Sequence, residues 1–277
     1  MINWNDFSDS IFYKENDFIL LKGDTFNLLD KLPFTAFDMI FADPPYFLSN
    51  GGVTCQNGKQ VSVNKGEWDM AMDISKKLDF HRQWIRKCKN LLKDNGTIWI
   101  SSTLHSVYAI GVALEMEGFN IINNIIWQKT NPAPNLACRC FTHSTETILW
   151  ARKIKNNGVK GKHTFNYKTM KEENGNKQMK DVWNFEDDGM IWKLSTTPKS
   201  EKKYGSHPTQ KPLKLLERII LASTKEDDLI LDPFCGSGTT GISAIKNKRR
   251  FVGIDREEEY LKLSKKRYEV EKNDSRF

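Results

Sequence analysis

The sequence has no hydrophobic run long enough to cross a lipid bilayer, which takes about 20 apolar residues. Its apolar runs are short, as in Leu229-Ile230-Leu231. The first residues, Met1 to Asp6, lack the basic start and the apolar stretch of a secretory signal. These absences predict a cytoplasmic protein with no membrane partner.

Cysteines are few and follow no regular spacing. The chain has five cysteines, an odd number, and they are scattered along the sequence. This favours reduced thiols over a disulfide framework. Cys138 and Cys140 form a lone C-x-C pair, whereas a zinc site needs about four ligands. The five histidines form no H-E-x-x-H pattern. The sequence therefore predicts no metal site.

The composition is that of a globular protein, without internal repeats or low-complexity tracts. Its 277 residues are 39% hydrophobic and 28% charged, enough apolar material for a core. This length suits one large α/β domain with an insertion. A net charge of +7 is compatible with nucleic acid as a partner, but it is not specific for one.

Alternating apolar segments and amphipathic segments predict a parallel or mixed sheet covered by helices on both faces. We expect Asn95-Gly96 to end a helix over 75–93 and the Gly- and Asn-rich stretch 47–70 to be a long loop. Residues 153–206 are polar and basic and predict an inserted region. The expected strands are 18–24, 37–43, 97–101, 119–127, 145–151, 229–232 and 250–255.

A glycine-rich motif, Asp232-Pro233-Phe234-Cys235-Gly236-Ser237-Gly238-Thr239-Thr240-Gly241, follows one of these strands and opens a helix. Its glycines permit a tight turn, and the helix N-terminus favours an anionic group. Asp255 closes the next strand, where an acidic residue binds ribose hydroxyls. The pattern predicts an adenosine-containing cofactor. A plain glycine turn with Asp255 as a helix cap is the alternative.

A second motif, Asp43-Pro44-Pro45-Tyr46, ends another buried strand. The prolines stiffen the turn, so a carboxylate, a backbone carbonyl and an aromatic ring are held in fixed geometry. Such groups suit the exocyclic amine of a flat base, which donates to the acceptors and stacks on the ring. The alternative is an Asp-capped proline turn with an aromatic residue packed beneath it.

The two motifs, in this order, resemble the signatures of the β-class amino DNA methyltransferases. His207-Pro208-Thr209-Gln210-Lys211-Pro212 resembles a third motif of that family, and the resemblance covers about 18–268. It implies a Rossmann-like α/β methyltransferase fold, circularly permuted so that the catalytic motif precedes the cofactor motif. Segments 43–52, 127–136 and 141–150 further resemble the second adenine methyltransferases of Dpn-type restriction systems, which methylate GATC and in some cases accept single-stranded DNA.

S-adenosylmethionine is the cofactor that the resemblance implies. Gly236 and Gly238 would pass under it and Asp255 would bind its ribose. Thr239 and Thr240 are equally well explained as helix N-caps. The implied cofactor-binding residues are Asp232, Phe234, Gly236, Ser237, Gly238, Thr239, Thr240 and Asp255, with Thr209, Gln210 and Lys211 bordering the methionine end.

The catalytic residues implied are Asp43, Pro44, Pro45 and Tyr46. Asp43 and the Pro44 carbonyl would bind the target amine, and Tyr46 would stack on the base during direct methyl transfer. Asp before Pro-Pro-Tyr favours adenine N6 over cytosine N4 in this family. We also expect Asp24, Trp127 and Phe141 to contact the substrate, although Asp24 alone is better explained as an N-cap.

The resemblance divides the chain into a catalytic half over 1–152, a target-recognition insertion over 153–206 and a cofactor-binding half over 207–277. It implies DNA as partner, a homodimer, a bacterial cytoplasmic location at the nucleoid, and a separately encoded restriction endonuclease without direct contact. Within the insertion, Trp183 and Trp192 are expected to be local core residues.

Rival functions explain less of the sequence. A nicotinamide-dependent oxidoreductase shares the glycine spacing but leaves the Asp43-Pro44-Pro45-Tyr46 motif unexplained. RNA methyltransferases and protein-glutamine methyltransferases use related tetrapeptides and stay open. A non-catalytic nucleic-acid-binding module has no need of an intact Asp43, an intact Tyr46 and a complete glycine motif.

Overall fold

The computed structural model describes residues 2–47, 53–56, 59–62, 70–129, 132, 134–136, 138–154, 162–183, 197–202, 205 and 209–274. The strands are β1 Ile11–Lys14, β2 Phe18–Lys22, β3 Phe37–Ala42, β4 Val53–Gln56, β5 Lys59–Ser62, β6 Leu92–Ser102, β7 Phe119–Gln128, β8 Thr145–Lys153, β9 Val182–Trp183, β10 Leu229–Asp232 and β11 Arg250–Asp255. The helices are α1 Thr25–Lys31, α2 Ile74–Leu91, α3 Leu104–Met116, α4 Tyr167–Glu173, α5 Leu213–Ser223, α6 Thr239–Lys246 and α7 Glu258–Asp274.

A single mixed sheet of nine strands organises the chain, in the order β1-β2-β11-β10-β3-β6-β8-β7-β9. Strands β2, β11, β10, β3 and β6 run parallel to one another. Strand β8 runs antiparallel to both β6 and β7, and the short strands β1 and β9 close the two edges. The predicted mixed sheet is therefore confirmed.

Helices cover both faces of this sheet, because the buried strands carry apolar side chains on each side. One core lies beneath α1, α2 and α3 and includes Trp84 and Ile110. The other lies beneath α4, α5, α6 and α7 and includes Trp99 and Tyr268. Among the residues that the structure describes, no helix combines the length and apolar character that a membrane span requires.

The prediction that Asn95-Gly96 ends a helix is wrong. Helix α2 ends at Leu91, and both residues lie inside β6. The pairing of β6 with β3 shifts register between Phe37 and Met39, and this irregularity accommodates the glycine. A Cβ on Gly96 would lie 2.9 Å from the Asp38 carbonyl oxygen, so glycine permits close approach of two strands rather than a turn.

The stretch 47–70, predicted to be a long loop, contains the antiparallel pair β4 and β5. These two strands are only four residues long, and the stretch is rich in Gly, Asn and Ser, which are not typical of strands. The stretch therefore shows no alternation of apolar and polar residues that would predict the pair. The described part of residues 153–206, which the sequence predicts to be an inserted region, also contacts the main sheet. Strand β9 extends the sheet beside β7, and Trp183 is buried at 5% exposure, as expected for a core residue. Trp192 lies outside the described residues.

Candidate active site

The site lies where the strand order reverses. Strand β10 continues through α6 to β11 on one side, whereas β3 continues through α2 to β6 on the other. In an open α/β sheet the crevice at such a switch point, at the carboxyl ends of the strands, binds ligands. Because β10 and β3 are adjacent and parallel, the glycine-rich motif and the Asp43-Pro44-Pro45-Tyr46 motif leave the sheet side by side.

A cavity of about 310 Å³ opens at this point. It brings together residues predicted for the catalytic and the cofactor sites. The predicted residues that line it are Asp24, Asp43, Pro44, Pro45, Tyr46, Thr209, Phe234, Gly236 and Asp255.

The glycine turn is shaped to admit a ligand close to its backbone. Gly236 and Gly238 have φ of 52° and 73°, a region that favours glycine. Asp255 Oδ2 accepts a hydrogen bond of 2.7 Å from Gly236 N, and its Oδ1 accepts one of 2.9 Å from Glu257 N. Burial raises the pKa of Asp255. Each carboxylate oxygen keeps lone pairs for further donors, so Asp255 can also accept from a diol.

Asp232 and Thr240 support the turn from below. Asp232 Oδ2 accepts a 2.5 Å hydrogen bond from Thr240 Oγ1, and Oδ1 accepts one of 3.0 Å from Phe234 N. Burial raises the pKa of Asp232 to about 7. Asp232 and Thr240 therefore hold the glycine turn against the start of α6, and neither residue lines the cavity.

Arg267 of α7 holds the other side of the same turn. Its guanidinium donates to the Ser237 carbonyl at 2.7 Å, to Ser237 Oγ at 3.1 Å and to Thr239 Oγ1 at 3.0 Å. Gly238 faces α7 as well, since a Cβ there would overlap Ser264 Oγ. Ser237, Gly238 and Thr239 therefore shape the turn from behind instead of lining the cavity.

Asp43 and Tyr46 are joined across the proline turn. The Tyr46 hydroxyl donates to Asp43 Oδ1 and lies 3.3 Å from Ser101 Oγ. Ser106 Oγ donates to the Tyr46 carbonyl at 3.0 Å. Burial, followed by the charge of Asp43, raises the pKa of Tyr46 well above its usual value, so the hydroxyl stays protonated and donates.

Lys211 lies at the catalytic turn. Its Nζ is 2.5 Å from Asp43 Oδ2, 3.0 Å from the Tyr46 hydroxyl and 3.7 Å from Glu146 Oε2. Burial lowers the pKa of this ammonium group, but Asp43, Tyr46 and Glu146 raise it more, and the net value is well above the usual one. Although the family motif implied a cofactor contact, the structure brings Lys211 to the Asp43 carboxylate.

The remaining predicted residues are less central. Asp24 caps α1, accepting from Asn27 N at 3.1 Å, and it also lines the cavity. Gln210 donates to the Glu201 carbonyl at 3.1 Å, away from the cavity. Trp127 is buried in the core and Phe141 is 95% exposed, so the structure brings neither into the cavity.

Several cavity residues were missed by the sequence analysis. Arg256 and Glu257 directly follow β11, so the rule that ligands bind at carboxyl ends of strands could have found them. Phe80 and Tyr260 are contributed by helices α2 and α7. No motif marks these two aromatic residues, because their position depends on how the helices pack.

The cavity therefore offers two different environments. One end has a glycine turn, the aromatic ring of Phe234 and the buried carboxylate of Asp255, a combination that fits a nucleoside. The other end has Asp43 and Tyr46, and Lys211 binds Asp43 from outside the cavity lining. This arrangement can hold a nucleoside cofactor and present a hydrogen-bonding substrate group to it.

Comparisons with known proteins agree with this geometry. The DNA methylase family profile, of the N6 and N4 type, matches residues 37–266. The chain is 59% identical to the type II methyltransferase M2.DpnII of Streptococcus pneumoniae over 260 residues, which cover 94% of this chain and 92% of that one. It is also 59% identical to M2.LlaDCHI of Lactococcus lactis subsp. cremoris, with 92% and 91% covered. Among solved structures, the M1.HpyAVI–SAM complex aligns with a TM-score of 0.59 and 28% identity, covering 90% of this chain and 98% of that one.

Proposed function

From the premise that the chain belongs to the DNA methylase family of the N6 and N4 type and uses S-adenosylmethionine, we propose that it methylates adenine N6 in DNA. One observation carries the proposal: Asp43 and Tyr46 line the same cavity as Gly236 and Asp255. A base amine at the first pair is thus adjacent to a nucleoside cofactor at the second.

The cofactor supplies an activated methyl group on a sulfonium. Asp255 accepts hydrogen bonds from the cofactor ribose, and the turn at Gly236 lets the backbone approach it. Phe234 packs beside the bound nucleoside. These assignments rest on the cavity lining and on the carboxylate that Gly236 N and Glu257 N hold in place.

Asp43 and the Pro44 carbonyl accept hydrogen bonds from the adenine amine. The N6 lone pair is delocalised into the ring, and these acceptors favour a more tetrahedral, more nucleophilic nitrogen. Tyr46 stacks on the base, which leaves a duplex at a cost of a few kcal/mol or enters directly from a single strand. Rate enhancement then comes mainly from positioning and preorganised electrostatics.

We propose GATC as the target sequence, because the chain resembles the second adenine methyltransferases of Dpn-type restriction systems. Residues 153–206 act as the recognition insertion. Its described part supports this with exposed lysines on α4 and in the turn after it, which suit phosphate contacts. These lysines are Lys168, Lys171, Lys177 and Lys180.

We also propose a homodimer through α3. Leu104, Tyr108, Val112 and Met116, four residues apart, form an apolar stripe whose members are 48–71% exposed. A second copy packed antiparallel about a two-fold axis would meet the same stripe. Lys77 Nζ donates to the His105 carbonyl at 3.0 Å, so the basic start of α2 lies beside the N-terminal end of α3. Exposed Glu115 lies at the C-terminal end of α3. The antiparallel arrangement pairs these opposite charges.

Methyl transfer from labelled S-adenosylmethionine to matched oligonucleotides tests the function. The set contains GATC or a scrambled site, as single strands and as duplexes, with cytosine-target and RNA arms. We expect label on adenine N6 in the GATC oligonucleotides. Label on cytosine or RNA, or label that is indifferent to GATC, would contradict the corresponding part of the proposal.

A further inference from the structure

Four charged side chains of alternating sign form a row behind the catalytic turn. Lys129 Nζ lies 2.5 Å from Glu146 Oε1, Glu146 Oε2 lies 3.7 Å from Lys211 Nζ, and Lys211 Nζ lies 2.5 Å from Asp43 Oδ2. We refer to Lys129, Glu146, Lys211 and Asp43 as the charge row. Asp43 is the member that lines the cavity.

The charge row is assembled from four separate parts of the chain. Asp43 follows β3, Lys129 follows β7, Glu146 lies in β8, and Lys211 precedes α5. The side chains of Lys211, Glu146 and Asp43 are 6%, 10% and 13% exposed. Burying charges is costly and is offset only by good pairing, so an extended buried row is weak evidence for stability. A role in the site explains its placement better.

The contacts of Asp43 show what the charge row does locally. Lys211 holds Oδ2, and the Tyr46 hydroxyl holds Oδ1. Lys211 also reaches the Tyr46 hydroxyl at 3.0 Å, so the three groups close a triangle. A carboxylate has about four acceptor positions, so Asp43 can still accept one amine hydrogen of a base while the Pro44 carbonyl accepts the other.

We propose that Lys211 is a positioning residue that orients the Asp43 carboxylate, and that Glu146 offsets the charge of Lys211 during methyl transfer. This inference rests on the proposed function. The family motif implied that Lys211 contacts the cofactor. The proposal instead gives Lys211 a role in the substrate half of the site. No role was predicted for Glu146, although it lies in the family-like segment 141–150.

Charge balance explains why Glu146 is needed. As the methyl group is transferred, the sulfur–carbon bond breaks, a nitrogen–carbon bond forms, and one positive charge passes from sulfur to the amine nitrogen. The nitrogen then releases one proton to water. A lone ammonium beside the amine would oppose the arriving charge. Asp43 and Glu146 surround Lys211 with negative charge, and its raised pKa keeps it protonated and therefore unable to take that proton.

The discriminating variant is Lys211→Met, with Lys214→Met as a matched control. Lys214 lies on the first turn of α5, with its side chain 42% exposed and paired to Glu217 at 3.3 Å. We expect Lys211→Met to lower kcat at least 100-fold while the Kd for S-adenosylmethionine, measured by calorimetry, changes less than threefold. Lys214→Met should leave both unchanged, and Lys211→Arg should restore part of kcat. A rise of tenfold or more in the cofactor Kd, or an unchanged kcat, would overturn the role.

Glu146→Gln keeps the size of the side chain and removes its charge. We expect kcat to fall about tenfold with the KM for DNA unchanged, because the residue acts on the transition state rather than on binding. A larger KM with an unchanged kcat would assign Glu146 to DNA binding instead.

A stability measurement separates this inference from the proposed function. If Lys211 pairs with Asp43, each single change leaves a buried group without its nearest opposite charge. The double variant Asp43→Asn with Lys211→Met should therefore melt no lower than Lys211→Met alone. If the double variant instead lost as much melting temperature as the two single variants together, the pairing would be refuted. That result would hold whatever the substrate of the enzyme is. Failure of the wild type to methylate DNA, with this coupling intact, would contradict the proposed function alone.

Discussion

Asp255, at the end of β11, holds Gly236 of the neighbouring motif through a 2.7 Å hydrogen bond from the glycine N–H to Oδ2. The same carboxylate accepts from Glu257 N through Oδ1. One side chain thus shapes the glycine turn and, in our proposal, binds the cofactor ribose.

We expect Asp255→Ala to raise the Kd for S-adenosylmethionine at least tenfold, which corresponds to about 1.4 kcal/mol. The variant loses both the ribose acceptor and the restraint on Gly236. Isothermal calorimetry measures the change. Exposed Glu259, on α7, provides the control Glu259→Ala, which should bind as the wild type does. Normal affinity in Asp255→Ala would remove the residue from the cofactor site.

Asp43→Ala should bind the cofactor yet lose at least 100-fold in methyl transfer. The carboxylate lies at the substrate end of the cavity, whereas the glycine turn and Asp255 form the other end. Transfer of labelled methyl groups and calorimetry together measure the two effects. The same change at exposed Asp79 should have no effect. Undiminished turnover would disprove the catalytic assignment.

Gly238→Ala should destabilise the protein by about 1–3 kcal/mol, the usual cost of a strained backbone conformation, with overlap adding to it. Its φ is 73°, and a Cβ would lie 2.8 Å from Ser264 Cβ. Gly175 also has positive φ, at 61°, but it faces open space, so Gly175→Ala is a control for strain without overlap. Thermal unfolding should show the smaller loss for Gly175→Ala. Equal losses would mean that packing against α7 is unimportant.

His81 should make the fold sensitive to acid. The side chain is fully buried, and burial lowers its pKa from 6.5 to about 3. Between these values the unfolded chain binds a proton that the folded chain does not, so stability falls as the pH is lowered through this window. The slope is at most about 1.4 kcal/mol per pH unit. Denaturant unfolding from pH 7 to pH 4 should be less pH-dependent in His81→Gln. Parallel curves for both proteins would contradict the assignment.

The apolar stripe on α3 predicts that the protein is a dimer. We expect the wild type to sediment as a dimer and Tyr108→Glu to sediment as a monomer, because the substitution introduces a charge into the centre of an apolar contact. Phe34→Glu, at a residue 73% exposed outside the stripe, should remain dimeric. A monomeric wild type at all concentrations would disprove the interface.

The sheet was predictable because buried parallel strands are continuous apolar runs; the bounds of β10 and β11 were predicted to the residue. Local pattern could not reveal the role of Gly96, since the glycine serves a contact with a strand far away in the sequence. The short edge strand β1 was missed, because its three half-buried residues and one exposed residue give little periodicity.

The site was predictable where a motif fixes its own geometry, as in the turn from Asp43 to Tyr46. The proximity of Lys211 and Glu146 depends on tertiary structure, because it brings the segment before α5 close to β8, which pairs with β6. Both residues lie in family-like segments, 207–212 and 141–150, but nothing in those segments indicates that the two side chains meet. The assignments of Trp127 and Phe141 stay predictions, although the structure leaves both outside the cavity.

The order of strands has a consequence for a chain emerging from the ribosome. Strands β2 and β3 are synthesised early, but β10 and β11, which lie between them, come near the end. Until residues 229–255 are available, the edges of β2 and β3 that pair with β11 and β10 stay unpaired. The catalytic turn after β3 then also lacks the glycine turn after β10. A nascent chain therefore has exposed pairing edges for most of its synthesis, and methylating capacity arises in one late step, when the last two strands fill the gap.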